Sequence, residues 1–335
     1  MRTDQLAAIA SRYGLSDIVE TRIGKQGFLN RNIILKTATA DYFLKEQNET
    51  NAKRIHLIEQ AESVFESHYI PVITPIETTE HQKHILLDGK AYTLYPFIHG
   101  HAVSNHALQP SHAAALGQML AHLHLVSKGQ SFQGMDNKPP EIFDVNVFDK
   151  KISILQKIIE DKTEADDTDK AIQRIIAMKQ QIIHERWGKH DITDDASETL
   201  IHGDYYHDNV FFDNNAQVQW VFDLEKVCVA PRAYEFVRSL LLICFNENFE
   251  ERNFHLADAF IRHYDALYPM PKDSIKRMLN QYVLKAAFST WLSEEIYTKQ
   301  NLVMLPLVKN HEVLLSEMLY RWDRVEGFIL DCLDT

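Results

Sequence analysis

The chain has 335 residues, a formal net charge of −12, and 45% hydrophobic against 24% charged residues. That length is generous for one core and comfortable for two lobes, and the composition is that of a globular protein, not a disordered or fibrous one. The acidic balance repels nucleic acid and anionic membrane, so neither is expected as a partner, and no run nears the ~20 apolar residues that cross a bilayer.

The opening residues, MRTDQLAAIASRYG, are polar where a signal peptide carries an apolar run. Cys228, Cys244 and Cys332 stand far apart with no CxxC. Both features point to a reducing, cytoplasmic setting, without a disulfide frame or structural zinc. Residues 3–13 are predicted as a short helix ending at Gly14. IVETRIG, RNIILKTA and DYFLKEQ then read as strands, broken by Gly24, Gly27 and a polar turn at Ala40 and Asp41. A helix is predicted over 51–68, with Leu57, Ala61, Val64, Phe65 and His68 on one face. KHILLDGKAYTLYPFI reads as a strand pair turning at Asp88–Gly89.

After Phe97 helical spacing takes over. Helices are predicted over 111–127, 145–160 and 169–186, the last two separated by a solvated acidic loop, DKTEADDTDK. His122 and His124 fall on different helix faces, which argues against a zinc pair. A small β island follows, and then helices over 232–246, 250–267, 274–298 and 309–332. The fold class is α+β, with a β-rich unit over 1–97 and a larger, mainly helical unit over 98–335.

The β island reads IHGDYYHDNVFFDNNAQVQWVFDLE over 201–225. One strand ends at His202-Gly203-Asp204, and NVFFD and VQWVFD form a hairpin turning at Asp213-Asn214-Asn215. The register of such a hairpin lets Asp204, Asn209 and Asp223 converge. Three oxygen-bearing side chains at one place suit magnesium, which takes oxygen ligands plus phosphate. A polar hairpin tip accounts for Asp213 to Asn215, but not for the spacing of the others. His202-Gly203-Asp204 with Asn209 fits the H-x-D-x-x-x-x-N catalytic loop of kinases. There the Asp orients a hydroxyl and accepts its proton, while the Asn and a later Asp hold Mg²⁺.

At these residues the chain resembles the aminoglycoside phosphotransferase and choline kinase superfamily, which shares the protein-kinase-like fold. Its members carry HGD-x-x-x-x-N and then a strand ending in D-x-D or D-x-E; this chain has HGDYYHDN and FDLE. The resemblance runs over roughly residues 19 to 300 and is most specific at 201–225. It implies a two-lobed fold that uses ATP or GTP with Mg²⁺. Asp204 would be the catalytic acid–base group, with Asn209, Asp223 and Glu225 around the metal. Lys45, in Tyr42-Phe43-Leu44-Lys45, would grip the phosphates, although strand lysines often simply face solvent. Glu62 would hold Lys45, with Glu59 left open as the alternative. Gly24 and Gly27 would border the phosphate-covering loop, although they do not form G-x-G-x-x-G. Tyr95 and Phe97 would meet the adenine at the lobe connection.

Asp223-Leu224-Glu225 replaces D-F-G, Gly203 replaces the catalytic-loop Arg, and the helix at Arg232–Leu240 leaves no room for an activation segment. A small hydroxyl-bearing acceptor is therefore expected rather than a protein. Trp291 and Glu295, four apart on a helix, suit a cationic acceptor, and Tyr205 and Tyr206 beside Asp204 could form walls. The bland alternative puts Trp291 in the core and the glutamate in solvent. The expected activity is phosphorylation of a small-molecule hydroxyl by a monomer or homodimer. The alternatives are a nucleotide-binding module without phosphotransfer, or a protein kinase.

Overall fold

The computed structural model describes residues 1–24, 31–47, 52–128, 132, 134–138, 143–189, 198–245 and 249–333. Packing divides the chain into two units. Met1–Val103, Phe132–Met135 and Asp208–Val227 form the first; Ser104–Ser131, Asp136–His207 and Cys228–Thr335 form the second.

In the first unit, α1 (Thr3–Arg12) is followed by β1 (Ile18–Ile23), β2 (Arg31–Thr37), β3 (Asp41–Gln47), α2 (Ala52–Ser67), β4 (His84–Leu87) and β5 (Lys90–Pro96). The five strands form one antiparallel sheet in the order β1-β2-β3-β5-β4. Asp88 and Gly89, at φ 51° and 74°, turn β4 into β5 as a left-handed pair must. The two-residue period of a strand sends alternate side chains to opposite faces. Ile33, Leu35, Leu44, Tyr92 and Leu94 thus make a core with Ile9 and Tyr13. Lys45, next to Leu44, belongs to the other face. Helix α2 buries Ile55, Leu57, Ile58, Ala61, Glu62 and Phe65.

The second unit begins with α3 (Pro110–Val126), α4 (Val145–Glu160), α5 (Asp167–Arg186) and β6 (Glu198–Ile201). The chain then lends the hairpin β7 (Val210–Phe212) and β8 (Val218–Val221) to the first unit. There Ile73 N–H donates to the Val221 carbonyl at 3.1 Å and Phe212 N–H to His101 at 3.0 Å. A Cβ on Gly100 would stand 2.3 Å from the Phe211 ring, so this approach needs glycine. Strand β9 (Cys228–Pro231) pairs with β6, and α6 (Arg232–Cys244), α7 (Glu251–Asp265), α8 (Lys272–Phe288), α9 (Trp291–Tyr297), α10 (Pro306–Tyr320) and α11 (Trp322–Cys332) complete the unit. Helix α3 packs on α7 so closely that a Cβ on Gly117 would lie 2.1 Å from the Phe260 carbonyl oxygen.

Three features depart from the sequence reading. The predicted helix over 274–298 breaks into α8 and α9, because the buried Lys179 ammonium donates to the Ala286 carbonyl at 2.9 Å and also to that of Ser289, satisfying the end of α8. The helix over 309–332 breaks at Arg321 (φ −127°), after which Trp322 enters the core. The acidic loop is not wholly solvated. Asp169 is fully buried in the first turn of α5, accepting from Lys162 Nζ and Tyr297 Oη at 2.6 Å each. Among the described residues no helix is long and apolar enough to cross a membrane.

Candidate active site

In the first unit the site begins with the hairpin. Val210 pairs with Val221, and one step beyond, Phe222 N–H donates to the Asn209 carbonyl at 3.1 Å. Asn209 and Asp223 therefore stand at the open end of the hairpin, where its two strands meet. Asp223 has φ 68° and ψ 57°, a left-handed conformation that a residue with a Cβ adopts at a cost of roughly 1–2 kcal/mol. Such strain on an acidic residue is a common mark of a functional position. One turn of 3-10 helix, Leu224–Lys226, follows.

This turn brings both acids onto one cation. Lys45 Nζ lies 3.0 Å from Asp223 Oδ1 and 2.5 Å from Glu225 Oε1. Burial disfavours the ammonium, but the charges of Asp223 and Glu225 outweigh it and raise the lysine pKa above its ordinary value. Arg54 of α2 donates from Nη2 to the Glu225 carbonyl and so braces the turn.

The remaining candidates of this unit are placed as follows. Glu62 is buried and accepts from Tyr95 Oη at 3.2 Å, while its Oε2 has no hydrogen-bond partner among the described residues. Burial pushes its pKa up to about 8, against the opposing pull of Lys83 and of the Tyr95 hydrogen bond, so it is largely protonated at neutral pH. Glu59 bonds His84 Nδ1 at 2.8 Å. The structure thus brings Lys45 to Asp223 and Glu225, and joins Glu62 and Glu59 to other partners. The Tyr95 hydroxyl is committed to Glu62, with its pKa raised first by burial and then by that carboxyl. Phe97 is half-buried, its ring edge-on to His99 at 5.0 Å. Gly24 continues the β1–β2 ladder, its N–H donating to Asn32 at 2.9 Å. Gly27 lies outside the described residues.

In the second unit the loop after β6 is fixed by a carboxylate that the sequence reading missed. Glu235, in the first turn of α6, is fully buried. It accepts from the N–H groups of His202 (3.0 Å) and Gly203 (2.5 Å) and from His124 Nε2 (3.1 Å). Gly203, at φ 81°, is the residue type that can make this bend. The other His124 nitrogen, Nδ1, lies 2.8 Å from the Tyr264 hydroxyl, to which Arg232 also donates at 3.3 Å. Burial alone would raise the Glu235 pKa. His124 first, then His202 and the Gly203 amide, outweigh it and hold the carboxyl below its ordinary value. Histidine 124 is therefore a link in a polar network. The one sequence signal for the network is Glu235 and Arg238, three apart on an otherwise apolar stretch.

Asp204 follows Gly203 and forms an ion pair with Arg238 Nη2. Tyr205 is not a wall of an open site but core, fully buried with its hydroxyl donating to the Leu116 carbonyl at 3.0 Å. Tyr206 is half-buried with its ring 5.4 Å from that of His207. Trp291 is 49% exposed, which departs from a core position. Glu295 is already matched by Lys299 Nζ at 2.6 Å and Asn301 Nδ2 at 3.1 Å.

Asn209, Asp223 and Glu225 offer an amide oxygen and two carboxylates. Among the described residues no group of three or more His, Cys, Asp or Glu could itself cage a metal ion. So sparse and hard a donor set fits magnesium, which keeps several waters and takes phosphate oxygens rather than an all-protein cage.

The sequence profile of the phosphotransferase enzyme family matches residues 20–270. Homoserine kinases of Paraburkholderia phymatum and Paraburkholderia phytofirmans are 29% and 28% identical over 124 residues, or 37% of this chain. The chain spans 38% and 37% of those relatives' length. A solved spectinomycin phosphotransferase in complex with ADP and spectinomycin superposes with a TM-score of 0.67, at 17% identity, covering 100% of this chain and 98% of its own. An aminoglycoside phosphotransferase from Alicyclobacillus acidocaldarius gives 0.68 at 16% identity, covering 98% and 95%. A microcompartment-associated aminopropanol kinase gives 0.64 at 13%, covering 98% and 99%. At these identities the likeness is one of fold.

Proposed function

We propose that this chain, which belongs to the phosphotransferase enzyme family, moves the γ-phosphoryl group of ATP or GTP to a hydroxyl of a small molecule in the cytoplasm. The observation that carries the reading is the contact of Lys45 with Asp223 at 3.0 Å, made across 178 positions of sequence. A lysine on a central strand and an acid in a left-handed turn are costly to hold together, and phosphate-binding chemistry uses both.

In this reading Lys45 grips the α- and β-phosphates. Asn209, Asp223 and Glu225 hold Mg²⁺, which when bound neutralises charge on the phosphate oxygens. Asp204 aligns the acceptor hydroxyl and takes its proton. The hydroxyl oxygen bonds the γ-phosphorus as the bond from that phosphorus to the β-bridging oxygen breaks, and the nucleoside diphosphate leaves. Glu235 contributes by fixing the backbone that carries Asp204, because positioning and charge supply most of the catalysis in such transfers. The homoserine and aminopropanol kinases among the similar proteins support a small acceptor.

The test is nucleoside diphosphate release from MgATP and MgGTP against aminoglycosides, choline, ethanolamine, homoserine and sugars, with Asp204→Asn in parallel. Acceptor-dependent release that the substitution abolishes, with nucleotide binding kept, is the expected result. Equal turnover by both proteins would remove Asp204 from its role. Nucleotide binding without Asp204-dependent release would leave a binding module.

A further inference from the structure

Glu62 sits on α2 with 3% of its surface exposed, and among the described residues no cation pairs with it. Its Oε1 accepts the Tyr95 hydroxyl at 3.2 Å, and its Oε2 has no hydrogen-bond partner among the described residues. An ionised carboxyl in this place would hold a bare charge away from water, so the group keeps its proton instead. The neighbouring charges do not reverse that. Lys83, before β4, pulls toward the ionised form and spends its ammonium on Ser63 Oγ at 2.9 Å. Glu59, one turn away on α2, pushes the other way and is bonded to His84. Lys45 pulls least of all.

Lys45 is nonetheless a neighbour. It pairs in register with Thr93 on β5, and Tyr95 stands two residues further along that strand, so the lysine and the tyrosine share one face of the sheet. The charges of Glu225 and Asp223 reach the Tyr95 phenol, as that of Glu62 does. Three acidic side chains therefore surround one tyrosine, and Lys45 matches two of them.

We propose that Glu62 is a proton-releasing counter-ion: neutral and held by Tyr95 in the free protein, ionised and paired with Lys45 once a nucleotide is bound. The proposal rests on the nucleotide-binding half of the reading above. In the free protein Lys45 needs no third carboxylate. When Asp223 and Glu225 turn to a metal and the lysine to phosphate, an ammonium with 11% of its side chain exposed loses the two anions that balanced its burial. Glu62 is the acid on that face left to replace them. Its O–H bond breaks, the proton leaves to water, and the electron pair stays on the carboxylate. Lys45 and Glu62 are thus partners in the bound state alone, and nucleotide binding is linked to pH.

Calorimetric titration with MgADP and MgGDP at pH 7, in buffers of different ionisation enthalpy, counts the protons. The wild type should release most of one proton more than Glu62→Gln, whose side chain is a neutral isostere. Lys45→Met keeps the acid and deletes the cation, and should match the glutamine variant. Affinity gives the same count. Relative to Glu62→Gln, the wild-type Kd should fall about tenfold from pH 6 to pH 7 and flatten above about pH 8, where the free carboxyl ionises unaided. Infrared difference spectra supply a signature that a structural role would not move. The C=O stretch of a protonated carboxyl should be present in the free wild type, absent from Glu62→Gln and lost when nucleotide binds.

Equal release by the wild type and Glu62→Gln, undiminished release in Lys45→Met, or a carboxyl band that persists in the complex overturns the proposal. Nucleotide binding and Asp204-dependent turnover without the extra proton would leave phosphotransfer standing and remove the counter-ion. Proton-linked binding with no turnover on any acceptor would sink the phosphotransfer reading and leave the counter-ion in place. Failure of both nucleotides to bind overturns both.

Discussion

The stretch 201–225 passes from one unit into the other, and its two ends are held by opposite means. At His202-Gly203-Asp204 the holding group is Glu235, fully buried and bonded to two amides and a fully buried histidine. At Asp223-Leu224-Glu225 the holding group is Lys45, and water still reaches its partners. The side chains of Lys45, Asp223 and Glu225 are 11%, 38% and 20% exposed. A buried charge that loses its partner is left unsolvated, so the first arrangement is rigid. A charge pair in contact with water loses little when it separates, so the second can be exchanged for a ligand. The loop that carries the proposed base is thus set before any substrate arrives, whereas on the proposed reading Lys45 would trade its carboxylates for phosphate.

The largest effect expected on this contrast is in turnover. Asp204→Asn keeps the Glu235 bonds to His202 and Gly203, removes the proposed proton acceptor and leaves Arg238 a neutral partner in place of a carboxylate. Turnover should fall about 1,000-fold, within the range general acid–base groups supply, with nucleotide affinity kept. Calorimetric titration with MgATP and a steady-state assay separate the two. Next is Glu235→Ala, which strands two amides and His124 in a dry site. A loss of roughly 3–5 kcal/mol in urea unfolding is expected. A loss under about 1 kcal/mol would make the two ends energetically alike and break the comparison.

Glu62 sharpens the contrast through pH. Folding raises its carboxyl from 4.5 to about 8, chiefly by burial, so the folded chain keeps a proton that the unfolded chain releases. The stability this adds is complete below pH 4.5 and is lost as pH climbs through about 8. Glu62→Gln stays neutral across that window. It should therefore gain on the wild type between about pH 5 and pH 8, by on the order of a few kcal/mol. Urea midpoints for both proteins at the two pH values measure the gain. Parallel curves would mean that the folded carboxyl is already ionised.

The fold was legible where its causes are local. The β7–β8 hairpin shows in the sequence because Asp213 makes its own turn, its carboxylate accepting the N–H groups of Asn215 and Gln217. Strand β9 did not show, since four residues, CVAP, display no period and pair only because β6 lies beside them. The end of α8 is set by Lys179, 107 positions from Ala286. The same rule divides the candidate site. The 202–209 spacing is written in adjacent residues, but the Glu235–His124 contact spans 111 positions and no pattern announces it. Trp291 and Glu295 share a helix face by spacing, yet Lys299, four further on, takes the carboxylate. Periodicity reports which face a side chain occupies and cannot report which charge it meets there.

Lys45→Met carries the smallest stability effect and tests the exchange directly. The substitution keeps the length of the side chain along β3 and deletes the ammonium. Asp223 and Glu225 then lose their shared cation, but both are reached by water, and Arg54 still braces the turn through the Glu225 carbonyl. The expected cost in urea unfolding is about 1 kcal/mol or less. Nucleotide affinity should respond more strongly. A charge-assisted contact to phosphate is worth roughly 1.5–3 kcal/mol, so the Kd for MgATP should rise about 10- to 100-fold. A large stability loss with unchanged nucleotide affinity would reverse the assignment. Lys45 would then be a structural cation like those around Glu235, and the exposed end of the stretch would be as fixed as the buried one.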